Sequence, residues 1–154
     1  MPSSIVLLAH NIRSMWNVGS LFRCADAFGV EHLYLTGYTA CPPRREIAKT
    51  AIGVQLWIPW SKADDPQSVI RQLRQTGYTI VSLEAVAGAV PLHEYEPPER
   101  ICLIIGHEVL GVPPELINAS ELTVGISMRG RKSSLNVAVA AGIALYQLTT
   151  KWKV

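Results

Sequence analysis

Apolar residues fall along this chain in short blocks separated by polar or glycine-bearing stretches, and the spacing changes from block to block. Ile5–Ala9 is a continuous apolar run of strand length, as is Ile101–Ile105. Runs of this kind, apolar at every position, suit strands buried on both faces. His32–Leu35, Val54–Ile58, Thr79–Glu84 and Leu122–Ile126 are predicted as further strands. Between them the period becomes helical. Val18, Leu21, Phe22, Ala25 and Phe28 predict a helix from about Asn17 to Phe28, closed by Gly29. Asp65-Pro66 is a cap followed by a first-turn proline, opening a helix that turns Val69, Ile70 and Leu73 inward and ends near Gly77. Glu46–Ala51 and Pro113–Ala119 predict two shorter helices. Strands alternating with helices predict an α/β fold, a mainly parallel sheet with helices on both faces. No internal repeat, linker or domain boundary interrupts residues 1–154, so a single domain is expected.

The last block has a different character. From Val137 to Tyr146 no residue is charged or strongly polar, and Ala138, Ala140, Ala141, Gly142 and Ala144 are small. Ten residues are too few to span a bilayer. The pattern predicts a helix apolar on every side, enclosed by protein, with Ser134 and Asn136 positioned to cap its start.

Composition changes this picture little. With 49% apolar and 17% charged residues the chain is that of a globular protein. A net charge of +2 is too small to identify a nucleic-acid partner, although the arginines cluster. Cys24, Cys41 and Cys102 are odd in number and widely spaced, forming neither a disulfide framework nor a metal pair, which suits a reducing cytoplasm. The N-terminal run lacks the basic leader of a signal peptide.

In parallel sheets, ligands sit beyond the carboxyl ends of the strands. Four loops therefore matter, those after Ala9, Glu84, Ile105 and Ile126. Three of them, NIRSMWNVGSLFR, GHEVLGVPPEL and SMRGRKSSLN, carry glycines and groups able to bind phosphate or amide. Several sites fail on register. His107-Glu108 begins an H-E-x-x-H pattern, but position 111 is Gly. Gly125 and Gly130 resemble a P-loop, but Arg131 is inserted before Lys132-Ser133. No G-x-G-x-x-G follows the first strand and no G-x-S-x-G elbow is present. His10, His32 and His93 stand alone, and no metal site is expected.

NVGSLFRCADAFGV, LIIGHEVLGVPPEL and ISMRGRKSSLNVAVAAGIALYQ resemble, in order and spacing, the three motifs of the SpoU/TrmH family, the SPOUT-class RNA 2′-O-ribose methyltransferases. The resemblance extends from about Asn11 to Leu148. It implies a deep trefoil knot over about residues 101–150, an exception to the rule of unknotted chains. It implies S-adenosylmethionine as cofactor, held in the knot by Leu83, Gly106, Ile126 and Leu135, with Gly106 permitting close backbone approach. It further implies a homodimer acting on tRNA or rRNA, with Arg23 at the reacting ribose and Asn17, Glu108, Ser134 and Asn136 orienting the centre. A guanidinium, with its pKa above about 12, is a poor base; holding phosphate and stabilising the developing alkoxide is the role that suits it. Ser127 stands where the family has proline, and Ala138 where serine is common. Without the extensions by which larger relatives grip RNA, PPRREIAKTAIG, with Arg44, Arg45 and Lys49, becomes the candidate RNA contact. Two rival readings are a non-catalytic knotted RNA-binding module and a nucleotide-hydrolysing enzyme built on the near-P-loop.

Overall fold

The computed structural model describes residues 3–152. Seven strands, β1 (Ser4–His10), β2 (His32–Thr36), β3 (Trp60–Ala63), β4 (Thr79–Leu83), β5 (Val90–Pro91), β6 (Arg100–Ile105) and β7 (Leu122–Gly125), form one sheet in the order β3-β2-β1-β6-β4-β7-β5. Every pairing is parallel. The described residues also form the α-helices α1 (Met15–Ala27), α2 (Arg45–Ala51), α3 (Pro66–Gln75), α4 (Pro114–Ala119) and α5 (Val137–Thr150).

The alternation of side chains along β1 divides the core in two. Ile5, Leu7 and Ala9 join Val18, Leu21, Phe22 and Ala25 of α1 and Ala141, Ala144, Leu145 and Leu148 of α5 on one face. Val6 and Leu8 join Val69, Ile70 and Leu73 of α3 and Leu116 of α4 on the other. The expected parallel sheet covered on both sides is what forms. Asp65 caps α3 as its sequence predicts, its carboxylate accepting from Gln67 N at 2.9 Å.

Three expectations need correction. Val54–Ile58 is not a strand: Val54–Leu56 is a single 3-10 turn, and strand β3 begins only at Trp60. Ile52 and Gly53 both take left-handed φ, 52° and 88°, which reverses the chain just before Val54. Val54 and Ile58 are then buried at turn spacing, with Ile58 N donating to Val54 O at 3.1 Å, while Leu56 and Trp57 face outward. The last strand stops at Gly125, leaving Ile126 in the following loop. Finally, α5 is not enclosed on all sides. Val139, Ile143 and Tyr146 form an exposed apolar stripe along it.

α1 begins two residues earlier than its apolar period indicates, because the Ser14 hydroxyl accepts from Asn17 N at 3.2 Å and caps it. It packs very closely on α2. A Cβ at Gly19 would stand 2.4 Å from the carbonyl oxygen of Ile47, so only glycine fits at that crossing.

Candidate active site

The loops at the carboxyl ends of β1, β6, β4 and β7 meet at one edge of the sheet, since these strands are consecutive in it. They surround a cavity of about 260 Å³ whose wall includes Leu83, Glu84, Gly106, Glu108, Ile126 and Leu135. The four residues expected to hold a cofactor thus share one concavity. Ser134 lines it as well, from the exposed loop between β7 and α5.

Glu108 organises one side of this edge. Its Oε1 accepts from Arg13 N at 2.8 Å, and its Oε2 accepts from Ser14 N at 2.8 Å and from Asn17 Nδ2 at 3.0 Å. Burial alone pushes the Glu108 carboxyl up, but the Arg13 and Ser14 amides and the Asn17 side chain outweigh it and hold the group below its ordinary value. The chain of bonds continues. Asn17 Oδ1 accepts from Asn136 Nδ2 at 3.2 Å, and Asn136 Oδ1 accepts from Ala138 N and Val139 N, capping α5. A carboxylate, two amides and a helix N-terminus are therefore linked in series, and each fixes the orientation of the next. Glu108, Asn17 and Asn136, expected together, are brought together.

Arg23 is not part of this chain. It lies six residues beyond Asn17 on α1, roughly 240° around the helix at about 100° per residue, and it is exposed. It is not among the residues that line the cavity.

Gly106, in the cavity wall, also has a packing role in its own loop. A Cβ there would lie 2.5 Å from the Gly111 carbonyl oxygen and 2.7 Å from Val112 Cα. The close approach is to the returning arm of its own loop, so a larger residue would first disrupt residues 106–112 and only through them the cavity.

Sequence reasoning missed two contributors. Glu84, at the end of β4, accepts from Val112 N at 2.8 Å and ties two walls of the cavity together. His107 also lines the cavity, and its Nδ1 accepts from Val109 N and Leu110 N, both at 3.0 Å, which shapes the loop tip. Both follow strands already placed correctly, but their side chains act on backbone amides and leave no spacing signal. Among the described residues, no three His, Cys, Asp or Glu side chains group as a metal site. Arg44, Arg45 and Lys49 are exposed on and before α2, with Lys49 Nζ 5.4 Å from the centroid of the Trp16 ring.

A sequence model described as the SpoU rRNA Methylase family matches residues 4–146. A tRNA (guanosine(18)-2′-O)-methyltransferase of Aquifex aeolicus is 31% identical over 144 residues, covering 93% of this chain and 67% of that protein. The 23S rRNA (guanosine(2553)-2′-O)-methyltransferase RlmP of Bacillus subtilis is 32% identical over 143 residues, covering 93% of this chain and 57% of RlmP. In structure, the chain is similar to the SpoU methyltransferase AviRb of Streptomyces viridochromogenes, solved in complex with AdoMet. The TM-score is 0.90 at 26% identity, over 98% of this chain and 58% of that one.

Proposed function

Because the chain belongs to the SpoU rRNA Methylase family, we propose that it transfers the methyl group of S-adenosylmethionine to a ribose 2′-hydroxyl of tRNA or rRNA. The observation that carries this reading is the cavity at the carboxyl edge of the sheet, walled by Leu83, Gly106, Ile126 and Leu135 and flanked by the Glu108–Asn17–Asn136 chain.

The cavity suits this cofactor chemically. Its wall mixes aliphatic side chains, Leu83, Ile105, Ile126, Leu135 and Val137 among them, with polar groups that include the carboxylates of Glu84 and Glu108, and among the described residues no lysine or arginine lines it. Such a lining accepts an adenine ring and tolerates a positively charged sulfonium. When bound, the cofactor supplies a methyl group on a good leaving group, so alignment of the acceptor oxygen is the protein's main task. Glu108 and Asn17 hold the start of α1 and the loop after β1 rigidly at the cavity mouth. Arg23, exposed on the same helix, holds the phosphate beside the target ribose and stabilises charge developing on its oxygen. Ser134 and Asn136 orient the same centre from the loop before α5.

This reading includes a homodimer. Val139, Ile143 and Tyr146 leave an apolar stripe on α5, Trp16 is exposed at the start of α1, and Phe28 meets Tyr146 edge-on at 6.0 Å between the two helices. A second copy covering α1 and α5 accounts for a helix apolar on its outer face as well as its inner one. The trefoil knot over about residues 101–150 belongs to the same reading. Lys151, just past α5, ties the chain's last helix to the segment before β6, its Nζ donating to the carbonyls of His93 and Tyr95. RNA contact is assigned to Arg44, Arg45 and Lys49. A cytoplasmic setting agrees with three free cysteines.

Calorimetric titration with S-adenosylmethionine, beside ATP with magnesium, tests the reading. Binding of the first and not the second is expected; the reverse would overturn it in favour of nucleotide hydrolysis, and binding of neither in favour of a non-catalytic RNA-binding module.

A further inference from the structure

We propose that Glu84 is the side chain that recognises the polar hydrogen-bond donors of the cofactor, an inference that rests on the methyltransferase reading of the same cavity. Two carboxylates line that cavity, and they differ in what they have left to accept. Glu108 takes three donors across its two oxygens at 2.8–3.0 Å, all of them from the loop after β1 and from α1. Glu84 takes one donor from across the cavity, its Oε2 accepting from Val112 N at 2.8 Å. Its Oε1 takes a long 3.2 Å bond from the adjacent Ala85 amide. A carboxylate oxygen accepts two hydrogen bonds comfortably, so Glu84 retains acceptor capacity.

The anchor also fixes where that capacity lies. Gly111 backs directly onto the Glu84 carboxyl, close enough that a Cβ at position 111 would overlap Oε2. With the carboxyl held between Val112 N and Gly111, a bound donor meets a group that is already oriented and loses little rotamer freedom. Among the described residues, no lysine or arginine lines the cavity to compete for the charge. S-adenosylmethionine presents two kinds of donor to such a group, the paired hydroxyls of its ribose and the α-ammonium of its methionine part. Both are recognised by the same chemistry, a charge-assisted hydrogen bond to carboxylate.

The test is calorimetry on wild type and Glu84→Gln with two ligands. The first is S-adenosylmethionine; the second is 5′-methylthioadenosine, which keeps the ribose and lacks the ammonium. Glutamine keeps an acceptor oxygen for Val112 N, so the loop is retained, and a thermal melt without ligand checks this. The Kd for S-adenosylmethionine is expected to rise about tenfold or more. An equal rise for methylthioadenosine assigns the contact to the ribose; an unchanged value assigns it to the ammonium. Wild-type affinity of Glu84→Gln for both ligands would overturn the inference while leaving the cofactor reading intact. Failure of the wild type to bind S-adenosylmethionine would overturn both. Should Glu84→Gln melt early, Glu84→Asp keeps the charge but withdraws it from the cavity. A severalfold weaker affinity is then expected, and an unchanged one contradicts the inference.

Discussion

Asn136 and Asn17, 119 positions apart in the chain, share a 3.2 Å hydrogen bond that joins the start of the last helix to the start of the first. Neither amide is free to turn. Asn17 Nδ2 is committed to Glu108 and Asn136 Oδ1 to the first amides of α5. The two asparagines thus convert the position of one carboxylate into the relative position of two helices, and this dictates what a substitution will do.

Asn17→Asp would set a second carboxylate 3.0 Å from Glu108 in place of a donor. Stability is expected to fall by about 1–3 kcal/mol at neutral pH, with part of the loss recovered as the pH falls and one of the two groups takes a proton. Asn136→Ala, which removes a helix cap, is expected to cost about 1 kcal/mol with no such pH dependence. Urea unfolding at pH 7 and pH 4 measures both. A pH-independent loss for Asn17→Asp would mean that the amide is not oriented as described.

Arg23 lies outside the cavity wall, so its removal separates chemistry from cofactor binding. Arg23→Ala is expected to lower single-turnover methyl transfer by about two to three decades, the effect of losing one charge-stabilising group. Affinity for S-adenosylmethionine should stay close to wild type. Arg23→Lys should not restore the rate, because an ammonium lacks the planar fork. Normal transfer by Arg23→Ala would remove Arg23 from the reacting centre.

Much of this was legible in the sequence. The apolar runs of β1 and β6, the period of α1 and the Asp65-Pro66 start fix the layers of the fold, because burial on both faces leaves a strand no polar position. The motif residues Asn17, Glu108 and Asn136 indicated a shared site, and their side chains do meet. What escaped detection depended on conformation. The left-handed turn at Ile52 and Gly53 leads into a 3-10 turn at Val54–Leu56, where the strand-like composition of Val54–Ile58 indicates a strand. Glu84 and His107 act by accepting from amides of a neighbouring loop, which no periodicity records. The all-apolar character of α5 was legible, but its cause was misassigned. The helix buries one face against its own sheet and exposes Val139, Ile143 and Tyr146.

That stripe is expected to be covered by a second copy. Ile143 is 42% exposed, so Ile143→Asp should be tolerated by the isolated fold. Sedimentation at micromolar concentration is expected to find wild type dimeric and Ile143→Asp shifted to monomer, with helical content retained. A monomeric wild type would contradict the assignment.

Binding of RNA through exposed arginines should depend steeply on salt. Arg44→Ala combined with Arg45→Ala is expected to weaken binding and to flatten the plot of log K against log salt by roughly one to two units. An unchanged slope would move the contact elsewhere, with Arg129 and Arg131 of the loop before α5 the next residues to test.

The central claim, transfer of a methyl group to ribose oxygen, is tested most directly by the chemistry of the product. Fractionated tRNA and rRNA would be incubated with the protein and methyl-labelled S-adenosylmethionine, and the labelled RNA hydrolysed in alkali. A methylated 2′-oxygen cannot attack the neighbouring phosphate, so the label is predicted to survive in alkali-stable dinucleotides. Label recovered in single nucleotides would mean that a base had been methylated instead, and absence of label from every RNA fraction would contradict the activity itself.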